Sequence, residues 1–209
     1  MFIVLESIDG GGKGKQREIL GQIYKAKLKD NFKEEGFPVH NSFYENVIHP
    51  ALQEETHMNK SSWVLSYLLD KTLYTDNITP FLKSETNLFL ADGYFTTTIA
   101  YQGMLMNQVS VEKLIEYSKD FEIPKPDLAI YLDVDPEIAM KRKQIEPGHD
   151  EGLDMFEKSI EKQKNLRGIF KKMVNNKIYC PWVEINGNNS IEEVTNEILE
   201  VLKVRTRIE

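Results

Sequence analysis

FIVLESIDGGGKGKQ, residues 2–16, runs from an apolar segment through a glycine cluster into a helical pattern. Phe2, Ile3, Val4 and Leu5 give an unbroken apolar run rich in β-branched and aromatic side chains, as a strand buried on both faces reads. Ser7, Ile8, Asp9, Gly10, Gly11, Gly12, Lys13, Gly14 and Lys15 follow, and Ile19, Leu20, Ile23 and Tyr24 then recur at helical spacing. Strand, glycine loop, lysine and helix together make a P-loop, a backbone cradle for phosphate. Glycines let backbone N–H groups approach an anion closely. The helix N-terminus adds a partial positive charge and Lys13 a full one. The usual pattern begins with Gly and ends Gly-Lys-Ser/Thr. Here Ser7 takes the first position, and Gly14 stands where a hydroxyl would ligate Mg²⁺.

The rest of the composition narrows the setting. A chain of 209 residues makes one large domain or two small ones, and buries roughly 70% of its unfolded surface. A net charge of −7 argues against duplex nucleic acid as a partner, because neutralising phosphates needs a basic surface. The one cysteine, Cys180, excludes an internal disulfide and a cysteine zinc cluster, and its apolar surroundings read as core. The chain starts on a strand rather than a signal peptide, and no apolar run nears the ~18 residues of a membrane span, so a soluble cytoplasmic protein is expected. No arginine occurs between Arg17 and Arg142. Any phosphate bound by that stretch is held by lysine, backbone or hydroxyl, without the bidentate guanidinium fork.

Further strands are predicted over residues 39–43, 87–91, 128–134 and 178–185, the last marked by Pro181 as an edge or irregular start. Helices are predicted over 16–30, 49–58, 61–81, the segment around 99–103, 137–143, 153–174 and 190–204, with Ser61 or Ser62 capping the third. Residues 144–152 read as a charged, glycine-containing loop. Strands alternate with helices from end to end, which predicts a parallel sheet with helices on both faces in a single domain over residues 1–209. In such sheets ligands bind beyond the carboxyl ends of the strands. Those ends carry the P-loop with Asp9 and Lys13, then Tyr44 and Glu45, then Asp92, then Asp133 and Asp135. Asp92 reads as a Mg²⁺-orienting or base-like carboxylate, or as a cap beside Gly93. Asp133 and Asp135 read as caps of the next helix.

Three stretches, FIVLESIDGGGKGKQ, ADGYFTTTIAYQG (91–103) and PDLAIYLDVDPEIAMKRK (126–143), together with the weaker SYLLDKTLY (66–74) and NSIEEVTNEILEVL (189–202), come in the order and spacing of one family. In them the chain resembles thymidylate kinase, a nucleoside-monophosphate kinase of the P-loop class. The resemblance implies a P-loop NTPase three-layer sandwich with a five-stranded parallel sheet and a lid loop at about 144–152. It implies transfer of the γ-phosphoryl of ATP to dTMP with Mg²⁺, and a homodimer. Carried over, Lys13 contacts the β- and γ-phosphates and Gly10, Gly11 and Gly12 wrap them. Asp9 and Asp92 serve Mg²⁺ and the acceptor. Tyr67 lies against the base with Lys71 in place of the family's arginine, Glu45 lies near the acceptor, and Thr97, Thr98, Tyr101 and Gln102 line the nucleoside.

The chain departs from the family in its arginines. Gly93 stands where the family has arginine, and neither residues 42–46 nor residues 144–152 contain one. A single arginine on a transferring phosphoryl group is worth roughly 10³–10⁵ in rate. Lys15 and Arg142 are therefore expected to replace that charge, with Lys71, Lys141, Lys143 and Arg167 as further cations. Two rival readings follow from the same gaps: a kinase of this fold acting on another deoxynucleotide or a nucleoside, and a nucleotide-binding protein with little or no catalysis.

Overall fold

The computed structural model describes residues 1–145 and 159–205. Its strands are β1 (Phe2–Glu6), β2 (Phe32–Gly36), β3 (Leu88–Asp92), β4 (Leu128–Asp133) and β5 (Trp182–Asn186). They form one sheet in the order β2-β3-β1-β4-β5, with every neighbouring pair parallel. The helices are α1 (Lys13–Leu28), α2 (His49–Leu52), α3 (Lys60–Ile78), α4 (Phe95–Thr98), α5 (Val111–Asp120), α6 (Pro136–Ile145), α7 (Ile160–Asn175) and α8 (Ile191–Arg205). π-Helical turns lead into α2 (Tyr44–Ile48) and extend α4 (Ile99–Leu105).

Side-chain alternation along the strands builds the layers. Phe2, Val4, Phe89, Ala91, Ala129 and Tyr131 turn to one face and pack with Leu68, Phe95 and Phe170. Ile3, Leu5, Leu88, Leu90, Leu128 and Ile130 turn to the other, onto Leu20, Tyr24, Ile198 and Leu202. The first face is covered by α3, α4 and α7, and the second by α1 and α8. This is the three-layer α/β sandwich that the alternation of strands and helices predicts. Cys180 lies in the first of these cores, 3% exposed. No helix among the described residues is long and apolar enough to cross a membrane.

The central strands are where the sequence places them, and the edges are not. The second strand is FKEEG, residues 32–36, rather than 39–43, and within it only Phe32 is buried. An edge strand pairs on one side only, so it needs no continuous apolar run, and its charges read as the tail of a helix. Residues 39–41 instead form a loop anchored by the Val39 N–H, which donates to Asp70 Oδ1 at 2.8 Å, and Ser42 and Phe43 begin the helical turn that leads into α2. The fifth strand starts at Trp182, after Pro181, on the opposite edge. The cap of α3 is Asn59, whose Oδ1 accepts from the Ser62 N–H at 2.9 Å. Helix α6 continues through Ile145, so the expected lid begins on a helix; the rest of the lid, and the first turn expected for the 153–174 helix, lie outside the described residues.

Asp135 caps α6, its Oδ1 accepting from the Glu137 N–H at 3.0 Å. Asp133 does not. Its Oδ1 accepts from Arg167 Nε at 2.7 Å and its Oδ2 from Arg167 Nη2 at 2.9 Å, and Lys171 Nζ lies 2.9 Å from Oδ2 as well. Burial alone would raise the Asp133 carboxyl, but these hydrogen bonds outweigh it and hold the group below its ordinary range. Arg167 therefore clamps α7 to the end of β4 and does not reach the glycine loop.

Candidate active site

The carboxyl ends of β1, β3 and β4 meet where the strand order reverses on either side of β1, the position at which parallel sheets bind ligands. The glycine loop occupies it. Gly10 and Gly12 adopt φ +74° and +90°, a left-handed conformation that residues with a Cβ rarely take. Beyond Gly12 the space is open, with nothing within 4 Å of where a Cβ would stand. Asn59, Ser110 and Ser159 cap α3, α5 and α7 with side-chain oxygens. The N-terminus of α1 has no side-chain cap and no acidic residue in its first turn. Its N–H groups are thus left for an external anion. Lys13 Nζ donates to the carbonyls of Ser7 at 2.9 Å and Ile8 at 3.3 Å, which ties the ammonium beneath the loop.

Two cavities open here. One, about 790 Å³, is bordered by residues 9–16, His40, Asp92, Arg142 and Lys143. The other, about 200 Å³, lies among Phe37, Tyr44, Tyr67, Thr97, Tyr101 and Gln102. Asp9, Lys13 and Phe37 border both. A third cavity of about 900 Å³ between α5, α7 and the π-helical turn is larger but contains no residue of the loop; the charged groups converge on the first two.

Carboxylates fix the site's electrostatics. Glu6 is fully buried and accepts from the hydroxyls of Thr96 at 2.5 Å and Thr97 at 2.9 Å. Burial pushes its carboxyl up to about 7, against the pull of the Thr96 hydrogen bond and the Lys13 charge. Burial also raises Asp92, while Lys13 and Arg17 draw it back. Asp92 Oδ2 lies 3.5 Å from where a Cβ on residue 14 would stand, so Gly14 keeps the space beside it open. Asp9 Oδ2 accepts from Tyr101 Oη at 2.8 Å and Gln163 Nε2 at 3.0 Å.

The expected site residues divide by position. Asp9, Lys13, Asp92, Lys15 and Arg142 all border the larger cavity. Arg142 is steadied by donating to the Gly187 carbonyl at 3.0 Å. Lys15 is half exposed and pairs with Glu18 at 2.8 Å. Tyr67, Thr97, Tyr101 and Gln102 border the smaller cavity, whereas Glu45, Lys71 and Thr98 do not. Thr97 and Tyr101 are one helical turn apart and share a face; Thr98 is rotated into the core, 1% exposed. Glu45 is on the outer side of its turn, and its neighbour Tyr44 faces the cavity instead. Lys71 is 1% exposed behind the cavity wall, 2.9 Å from Asp70 and over the rings of Tyr67 (5.2 Å) and Phe37 (5.5 Å). At Gly93, φ is +64°, and a Cβ would press on the Thr97 hydroxyl at 3.1 Å and the Phe37 carbonyl at 3.2 Å. A larger residue there would move the loop that walls the smaller cavity.

Phe37 and His40 are site residues that the misplaced second strand concealed; Tyr44, expected at that strand's end, borders the smaller cavity. His40 stacks on Tyr44 with centroids 4.2 Å apart. A correctly placed edge strand would have brought this loop to the switch point. Gln163 carries no local motif at all.

The chain matches the thymidylate kinase family model over residues 5–198. The thymidylate kinase of Thermosipho africanus (strain TCF52B) is 32% identical over 212 residues, covering 97% of this chain and 98% of that protein. That of Dictyostelium discoideum is 30% identical over 206 residues, with 96% and 84% covered. That of Francisella philomiragia is 31% identical over 211 residues, with 96% and 97% covered.

Proposed function

From the premise that this chain belongs to the thymidylate kinase family, and is thus a phosphotransferase, we propose that it transfers the γ-phosphoryl of ATP to dTMP with Mg²⁺, giving ADP and dTDP. The observation that carries this reading is the pair of cavities with Asp9, Lys13 and Phe37 in common. A donor in the larger and an acceptor in the smaller bring their phosphates to one point, and positioning supplies most of the rate in such a reaction.

The glycine loop suits a triphosphate. Its open face at Gly12, the uncapped α1 and Lys13 give backbone donors and charge on one side. Ser7, Ile8, Gly10, Gly11, Gly14 and Lys15 complete the cradle. Asp9 and Asp92 would hold Mg²⁺, since that ion takes one or two carboxylates and completes its shell with water and phosphate oxygens. When bound it neutralises charge on the phosphates. Lys13, Lys15 and Arg142 add positive charge from the chain itself. Tyr67 and Phe37 offer flat apolar walls to a base, while Gln102 and Thr97 offer polar edges. Glu45, Lys71 and Thr98 act on the acceptor through Tyr44, Tyr67 and Thr97, their neighbours that border the cavity.

One observation favours a second reading. Lys71, the cation expected beside the base, is paired with Asp70 behind the wall. An acceptor other than dTMP would need no such cation. An ADP-release assay with ATP and Mg²⁺ across the deoxynucleoside monophosphates and thymidine separates the two. Turnover confined to dTMP is expected. Preferential turnover of another acceptor supports the second reading, and ATP binding without turnover on any acceptor overturns both.

We read residues 1–209 as one catalytic domain of a cytoplasmic homodimer acting on small nucleotides, with neither nucleic acid nor membrane as partner. The single sheet drawing strands from Phe2 to Asn186 supports one domain, and the net charge of −7 supports the lack of a nucleic-acid partner.

A further inference from the structure

Asp9 stands at the junction of the two cavities, on a glycine-rich loop that gives it little support of its own. The residue that holds it comes from the other end of the chain. Gln163, in the first turns of α7, is 2% exposed. Its Oε1 accepts from the Asp9 backbone N–H at 3.3 Å, and its Nε2 donates to Asp9 Oδ2 at 3.0 Å. A primary amide is neutral and offers an acceptor and a donor side by side. It thus fixes the backbone and the carboxylate of one residue together. Tyr101 Oη donates to the same oxygen from the opposite helix at 2.8 Å. Asp9 Oδ2 is in this way committed to the protein, and the direction of the carboxylate is set.

We propose that Gln163 is a positioning residue for the reaction: it holds the Asp9 carboxylate in the orientation that phosphoryl transfer requires. The proposal rests on the kinase reading above. An apolar side chain of the same length would fill the space but could not orient Asp9, so the contribution of the buried amide lies in what it orients.

The test is a double-mutant cycle between Gln163→Met and Asp9→Asn, read in two ways: kcat with dTMP, and the dTMP dissociation constant by calorimetry in the presence of an unreactive ATP analogue. Gln163→Met keeps length and apolar volume and removes both hydrogen bonds. A misplaced reacting group can lose about 10²-fold in rate, and a loss of that order in kcat is expected, with ATP affinity and melting temperature unchanged. In the Asp9→Asn background the same substitution is expected to add little, because its effect passes through Asp9. Gln163→Glu gives a second variant of the native shape; it replaces the donor with a carboxylate facing Asp9 and is expected to lose at least as much. Full activity in both variants, losses that multiply in the double variant, or a parallel fall in ATP affinity and melting temperature would each overturn the proposal. If wild-type protein turns over no acceptor, the kinase reading fails, and the binding cycle still decides for or against the Gln163–Asp9 coupling.

Discussion

Glu6 is the residue whose environment departs most from its sequence context. It ends β1, one position before the glycine loop begins, with its carboxyl sealed from solvent. In the unfolded chain it ionises near its ordinary value of 4.5; in the folded protein it keeps its proton until about 7. Between those values the native state binds more protons than the unfolded state, so stability falls as pH rises through this window and levels off above it. A shift of that size corresponds to roughly 3 kcal/mol. Glu6→Gln removes the titration while keeping a group that can accept from Thr96 and Thr97. Scanning calorimetry on wild type and variant should therefore show the variant gaining relative stability from about pH 5 to about pH 8. A constant difference between the two would refute the buried, late-ionising carboxyl. Residue by residue, the glycine loop was legible in the sequence because its chemistry is local. Lys13 and Gly12 act through neighbours along the chain, and spacing alone finds them and Asp9, although the groups that hold Asp9 come from far along the chain. Gln163 and Lys71 were illegible for the opposite reason. What each does is set by a partner brought to it by folding, and the Asp70 that neutralises Lys71 looks like any other helical acid in one dimension.

At the level of elements, burial determined what could be read. Strands β1, β3 and β4 are enclosed on both faces and announce themselves as apolar runs. Strands β2 and β5 lie at the edges and carry charge; β5 overlaps the expected 178–185 and begins just after the Pro181 that marks it as an edge, whereas β2 was placed seven residues away from where it forms. The displacement of β2 hid the loop that follows it, and with it Phe37 and His40. Helix α3 raises a different point. Leu65, Leu69 and Leu73 recur every fourth position and are 60%, 44% and 55% exposed. A stripe of leucines on the outer face of a long helix is the apolar patch that protein interfaces use. It supports the proposed homodimer with a contact on α3, where none of the three leucines borders either cavity. Light scattering on the wild-type protein is expected to give twice the chain mass, and Leu69→Glu is expected to shift it to one chain mass while the circular dichroism spectrum is preserved. A wild-type mass of one chain, or a Leu69→Glu protein that stays dimeric, would remove α3 as the interface.

Over the whole molecule, one sheet carries everything that has been described. The glycine loop lies at one end of β1, the clamp of Arg167 on Asp133 at the end of β4, and the loop that walls the smaller cavity at the end of β2. The fold was legible at this scale because regular alternation of strand and helix leaves few arrangements of a parallel sheet. The smaller cavity was legible only through likeness to a family, since its walls come from segments far apart in the chain.

The burial of Cys180 has a practical consequence. It is the chain's one thiol, it sits in the core between α4 and β4 residues, and burial pushes it up to about 12. A thiolate is the reactive form, so this sulfur is silent toward disulfide reagents while the core is closed. Every chain thus carries a single built-in clock for the opening of its own interior. Labelled with an aromatic disulfide and followed by absorbance, the native protein should release chromophore slowly and to one equivalent. The release should slow further when an ATP analogue and dTMP are both present, because ligands that bind only the native state lower the open population. Rapid, ligand-independent labelling would mean that the core breathes without regard to what fills the site.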